Sequence, residues 1–168
     1  VFDSIAKLKN ELRFYSKEES KAVLGFSGAP WTLACYAIDQ QQYKQFQGTQ
    51  LLAYRSPEAF HRLMSLLSGL CCKYLIEQHR AGADAVQLFD SWAGNLSVDD
   101  YLRLAFPYTE NIITRLKEEG CPTILYVGNS SHLINELINT KADCLSVDWR
   151  VDLKHIYEHT NHAIQGNL

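Results

Sequence analysis

The sequence predicts an α/β protein built on a parallel sheet. Short apolar runs recur along the chain, and helical segments separate them. Most of the runs are continuously apolar rather than alternating, as strands covered on both faces are. The last three begin at Thr123, Cys144 and Ala163, 21 and then 19 residues apart. That rhythm is tight but sufficient for a strand, a helix and the return.

The elements follow in order. From Phe2 to Arg13, Phe2, Ile5, Leu8 and Leu12 fall near one helical face. After the polar stretch Ser16–Ser20, Ala22–Ser27 reads as a buried strand, and a short helix is expected from Trp31 to Asp39. The glutamine-rich segment Gln40–Gln50 reads as a loop. Ser56 then caps a helix, with Pro57 in the first turn and Glu58 at the positive end. Its stripe is Phe60, Leu63, Met64, Leu67, Leu70, Tyr74 and Leu75, and Gly82 closes it. Ala85–Phe89 is the second strand. Ser97 and Asp100 form a capping-box pattern for a helix to Glu119, kinked at Pro107. Thr123–Val127, a helix from Ser131 to Asn139, Cys144–Val147, a helix from Asp152 to His159, and Ala163–Gln165 complete the series. Five such units fit an open sheet or part of a barrel. A chain that stops just after a strand favours a cropped barrel, since a bare last strand leaves an exposed edge.

Composition narrows the function. The chain has 168 residues, 46% hydrophobic and 21% charged, with a net charge of −3. Those are globular values, enough for one domain. A nucleic-acid binder would carry a basic stripe, and a membrane helix needs a long apolar run; neither is expected here. The five cysteines are odd in number and lack C-x-x-C spacing. Reduced cysteines in a cytoplasmic protein fit better than a disulfide framework or a zinc site.

Parallel architectures bind ligands at the C-terminal ends of their strands. Those ends read Ser27-Gly28-Ala29-Pro30-Trp31, Asp90-Ser91-Trp92-Ala93-Gly94, Gly128-Asn129-Ser130, Asp148-Trp149-Arg150 and Gly166-Asn167. Small, polar and aromatic residues collect there, which predicts a sizeable, partly aromatic pocket. Ordinary βα loops favour the same residues. Asp90 and Asp148, also at strand ends, fit either a catalytic role or a cap on the next loop, and an anionic substrate favours the cap. His132 fits either a first-turn helix position or a pocket donor.

Two of these segments carry a resemblance. Gly25-Phe26-Ser27-Gly28-Ala29-Pro30-Trp31-Thr32-Leu33, followed by Tyr36, resembles the G-F-x-G-A-P-W-T-L…Y segment of the uroporphyrinogen decarboxylases. Ala83 to Gly94, with Asp90-Ser91 before an Ala-Gly turn, resembles their second signature, and Pro107-Tyr108 follows at a similar distance. Val147-Asp148-Trp149 and Gln165-Gly166-Asn167-Leu168 are similar to later strand ends of the family. The likeness runs from about Lys21 to Leu168.

The resemblance implies a (β/α)8 barrel, of which residues 1–168 are a single domain piece of about five βα units, truncated at both ends. It implies a cytoplasmic homodimer that removes the carboxyl groups of the four acetate arms of uroporphyrinogen, in haem synthesis. No metal or organic cofactor is implied, because the substrate pyrrole is itself the electron sink. Tyr36 is the implied substrate-binding tyrosine, Ser91 a hydroxyl contact to a substrate carboxylate, and Phe26 and Phe89 the pocket walls. Each has an ordinary reading as well: Tyr36, Phe26 and Phe89 in core packing, Ser91 as a turn residue. The family's R-Q-A-G-R arginines, its strand-end aspartate and its histidine have no matching position here, so catalytic residues stay unassigned. Arg150 is the one obvious cation at the strand ends, against eight substrate carboxylates. The chain alone is therefore expected to be a poor decarboxylase.

Three rivals remain. A zinc-dependent methyltransferase of the same superfamily needs a His-x-Cys pair where this chain has Tyr126-Val127-Gly128. A hydrolase would use Ser27 of Gly25-Phe26-Ser27-Gly28-Ala29, with Asp148 and one of His155, His159 or His162. A non-catalytic fragment is the third. The glutamines after Asp39 and the strand end Tyr126-Val127-Gly128-Asn129 depart from the commonest family form.

Overall fold

The computed structural model describes residues 1–12, 21–39 and 46–166. Its strands are β1 (Leu24–Gly28), β2 (Ala85–Asp90), β3 (Thr123–Val127), β4 (Cys144–Ser146) and β5 (Ala163–Gln165). All are parallel, and their spatial order is their sequence order. A doubly wound sheet reverses its strand order at a switch point; a barrel does not. The sheet is thus an arc of a βα-barrel.

The helices are α1 (Phe2–Leu12), α2 (Pro30–Asp39), α3 (Gln47–Arg55), α4 (Pro57–Arg80), α5 (Val98–Asp100), α6 (Phe106–Glu118), α7 (Ile134–Leu137) and α8 (Leu153–His159). Register assigns the two faces of the sheet. Val86, Leu88, Leu125, Val127 and Leu145 share one face and are buried. Helices cover that face: α4 and α6 pack together, and α4 lies along β1. Leu24, Phe26, Phe89, Ile124 and Tyr126 share the other face, which is more open. In a barrel that open face is the interior.

The structure corrects several expectations. β1 is not buried on both sides: Gly25 and Ser27 are buried, while Leu24 and Phe26 are exposed. The expected loop Gln40–Gln50 is helical from Gln47 onward as α3, and residues 40–45 lie outside the described ones. Asp39, at the end of α2, starts that helix: its carboxylate accepts from the Gly48 and Thr49 N–H groups and the Thr49 hydroxyl, and Thr49 and Ala53 turn inward. Ser56 occupies the start of α4 but makes no side-chain cap bond. Its N–H serves the end of α3, bonding the Leu52 carbonyl. In α4 the buried row continues through Cys71 and Cys72 to Leu75, while Leu70 and Tyr74 are exposed. In α1, Phe2 and Leu8 are likewise exposed, and no residue is fully buried.

Other punctuation matches. After α4, Gly82 at φ 115° and Ala83 donate to the carbonyls of His79 and Gln78. Gly120 at φ 68° repeats the arrangement after α6. Both are Schellman closures, which require a left-handed residue. Ser97 accepts from the Asp100 N–H, and Asp152 from the Lys154 N–H. The irregularity near Pro107 is a π-helical turn, Tyr101–Ala105. Proline has no N–H to donate and crowds the preceding turn, so the helix widens there. The helix expected from Ser131 to Asn139 is shorter, a 3-10 turn Ser131–Leu133 followed by α7.

Candidate functional site

The open face of the sheet carries a row of rings. Phe26 on β1 meets Phe89 on β2 edge-on at 6.1 Å. Phe89 meets Tyr126 on β3 at 5.7 Å. Phe26 is 63% exposed. That leaves the Phe26 ring open on the sheet face that a barrel turns inward. Gln78 of α4 holds the Phe26 backbone from the side: its Oε1 accepts the Phe26 N–H at 3.0 Å and its Nε2 donates to the Phe26 carbonyl at 2.9 Å. Gly25 leaves room for that side chain, since a Cβ there would sit 2.8 Å from Gln78 Oε1.

A second group gathers at the C-terminal ends. Tyr36, 38% exposed, stands edge-on to Trp92 at 6.2 Å, and Phe46 packs on the same indole at 4.7 Å. Trp92 follows Ser91, which is half-buried at the end of β2. The ends of β2 and β3 approach closely. A Cβ on Gly94 would lie 2.0 Å from the Gly128 carbonyl oxygen, and one on Gly128 would lie 2.7 Å from the Ser91 carbonyl oxygen. The structure therefore joins Phe26 to Phe89 directly, and Tyr36 to Ser91 through Trp92.

Both strand-end carboxylates are held by hydrogen bonds. Asp90 lies on the helix-covered face and is fully buried. Its Oδ1 accepts from Thr32 Oγ1 at 2.8 Å. Burial pushes its pKa up to about 7, against the opposing pull of hydrogen bonds from the Thr32 hydroxyl and N–H. Asp148 accepts from the N–H groups of Asn129 at 2.7 Å and Arg150 at 3.0 Å. Burial acts to raise its pKa, but those N–H groups and the Arg150 charge outweigh it and leave it low. Asn129 takes φ 56°, a left-handed turn position that asparagine tolerates.

Arg150 is committed to Asp148 at 3.0 Å and lies over the Trp149 ring at 4.5 Å. It also lines a cleft of about 410 Å³ with Ser131, His132, Asn135, Asp152 and His155. His132 is thus both a turn residue and a cleft residue; its Nε2 meets the Leu96 carbonyl at 2.8 Å. A second cleft, about 430 Å³, lies at the opposite ends of β4 and β5, beside Lys141, Asp143 and His162. Ser27, the serine of the hydrolase reading, is buried on the helix side and bonds the Gly28 carbonyl. Sequence reading missed Tyr126 and Gln78. Alternation along Thr123–Val127 places Tyr126 with Ile124, but only register shows which face is open.

The family model described as Uroporphyrinogen decarboxylase (URO-D) matches residues 1–168. The chain belongs to the uroporphyrinogen decarboxylase family. The uroporphyrinogen decarboxylase of Thermodesulfovibrio yellowstonii is 43% identical over 169 residues, covering 100% of this chain and 47% of that protein. The one from Aquifex aeolicus is 40% identical, covering 100% and 48%. The chain spans about half the length of the curated relatives it matches. Among solved structures, a methyltransferase from Methanosarcina mazei superposes with a TM-score of 0.83 at 15% identity, covering 99% of this chain and 47% of that one. That likeness shows the fold alone. No described helix is long and apolar enough to cross a membrane.

Proposed function

We propose that this chain is part of a carboxy-lyase that converts uroporphyrinogen III to coproporphyrinogen III by decarboxylating its four acetate side chains. The observation that carries the reading is the row Phe26–Phe89–Tyr126 on the barrel-facing side, with Tyr36 and Ser91 at the adjoining strand ends. Flat apolar rings suit a tetrapyrrole, and a phenol and a hydroxyl suit its acetate arms. In each cycle the bond from the acetate methylene to its carboxylate breaks and carbon dioxide leaves. The electron pair passes into the ring-protonated pyrrole, a proton then adds to the methylene, and loss of the ring proton restores the pyrrole, so that one proton replaces one carboxylate. Protein groups serve by holding the macrocycle and steadying that charge.

Residues 1–168 form one stretch of a longer barrel in this reading, since its relatives are about twice as long. Cations for most of the carboxylates come from elsewhere in that barrel, because Arg150 is already paired. The assembly is a cytoplasmic homodimer.

The test is anaerobic coproporphyrinogen binding, read by quenching of Trp31, Trp92 and Trp149. This chain is run beside a form extended to the length of its relatives. The extended form binds, and Tyr36→Phe and Ser91→Ala each weaken it about three- to tenfold, the worth of one hydrogen bond. A folded extended form that gives no quenching refutes the reading.

A further inference from the structure

Helix α2 has a poor start of its own. The Ala29 carbonyl accepts the first intrahelical bond, from Leu33, so Ala29 sits at the cap. Alanine offers no side-chain acceptor, and Pro30 has no N–H. The acceptor comes from another strand. Asp90, last residue of β2, takes the Thr32 hydroxyl at 2.8 Å. The same hydroxyl accepts the Trp92 N–H at 3.2 Å. Thr32 Oγ1 is thus a node between α2 and the turn that follows β2.

Stability alone gives no reason for this arrangement. Asp90 continues the row of Val86 and Leu88, which are fully buried and apolar. Its Oδ2 is buried without a hydrogen-bond partner among the described residues. A carboxyl in that state disfavours the fold relative to an apolar side chain. What the node does is geometric. Tyr36 lies four residues beyond Thr32, on the same side of α2. Ser91 lies between Asp90 and Trp92, and the Tyr36 ring rests against Trp92.

We propose that Asp90 and Thr32 are positioning residues for the site. Asp90 caps α2 from outside the helix, and the Thr32 hydroxyl passes that restraint to the Trp92 backbone. Tyr36 and Ser91, from two distant segments, are thereby held in one relation. The proposal rests on the reading that those two residues meet the substrate.

Thr32→Val keeps the shape and removes both hydroxyl bonds; Thr32→Ser restores them. Two readouts are taken in the same protein: amide exchange at Trp92 without ligand, and anaerobic coproporphyrinogen binding. In Thr32→Val, Trp92 exchange accelerates and binding weakens, each about three- to tenfold. Thr32→Ser keeps both near the parent. A merely structural role would lower the unfolding midpoint and leave the affinity of the folded protein alone, and that result overturns the proposal. So does Thr32→Ser behaving like Thr32→Val. The parent is the form extended to the length of its relatives; if it folds and does not bind, the tetrapyrrole reading is refuted, and Trp92 exchange then decides the node by itself: unchanged exchange in Thr32→Val overturns it.

Discussion

Adding one methyl group at Gly94 should cost more than at any other described glycine. A Cβ there would lie 2.0 Å from the Gly128 carbonyl oxygen, 2.5 Å from that of Asn129 and 2.7 Å from the Asn129 carbonyl carbon. All three are backbone atoms at the end of β3, so no rotamer can yield. Overpacking costs typically 1–3 kcal/mol, and contact with backbone on this scale puts Gly94→Ala at about 3 kcal/mol or more. Domains of this kind have roughly 5–15 kcal/mol in all. Gly69 is the control. It lies in α4 with nothing within 4 Å of a built Cβ, so Gly69→Ala should gain about 0.5–1 kcal/mol from helix propensity alone. Urea unfolding of both variants beside the parent gives the two values. Equal signs, or a Gly94→Ala within about 0.5 kcal/mol of the parent, would refute the packing argument.

Three further outcomes follow, two from buried groups and one from an ion pair. Asp90 has its folded pKa raised from 3.8 to about 7. The folded state therefore holds its proton more tightly. This contribution is full below about pH 4, is lost as pH rises through 7, and totals about 4 kcal/mol. The difference between parent and Asp90→Asn in urea at about pH 4.5 and pH 8 should shift in that direction; a flat difference would sink the assignment. Gln78→Leu should cost about 1–3 kcal/mol and speed amide exchange at Phe26, because it strips both hydrogen bonds from that backbone. Lys9→Ala should cost no more than about 1 kcal/mol, since the Lys9–Asp84 pair is partly exposed; a larger loss by thermal unfolding would mean that α1 is needed for the rest to fold.

The elements most legible in the sequence were those with punctuation. Gly82, Gly120, Ser97 and Asp152 each mark a helix end by local chemistry, and each does so in the structure. α3 was not legible because its sequence is polar and its first-turn N–H groups are held by Asp39, a residue of the preceding helix. The face of β1 was misread for a related reason. Leu24 and Phe26 look like core, but their side of the sheet faces the barrel interior. At the site, the motifs brought Phe26, Phe89, Tyr36 and Ser91 forward together. Their division into a ring floor and a strand-end group needed register. Tyr126 and Gln78 lie outside the short motifs, and only contacts name them.

The side-chain grip on β1 also makes the two borders of the sheet unequal. The Val23 carbonyl and the Ala29 N–H turn toward β2, so Phe26 and Gly28 turn the other way. On that border Gln78 occupies both polar groups of Phe26, and Cys71 Sγ and Ser27 Oγ lie on the Gly28 carbonyl. An incoming strand would have to evict Gln78 before it could pair there. At β5, three residues long with Ala163 and Gln165 exposed, it meets no such clamp among the described residues. The two borders thus differ in chemistry: side chains occupy the backbone groups at β1, and the backbone of β5 carries no such side-chain grip among the described residues.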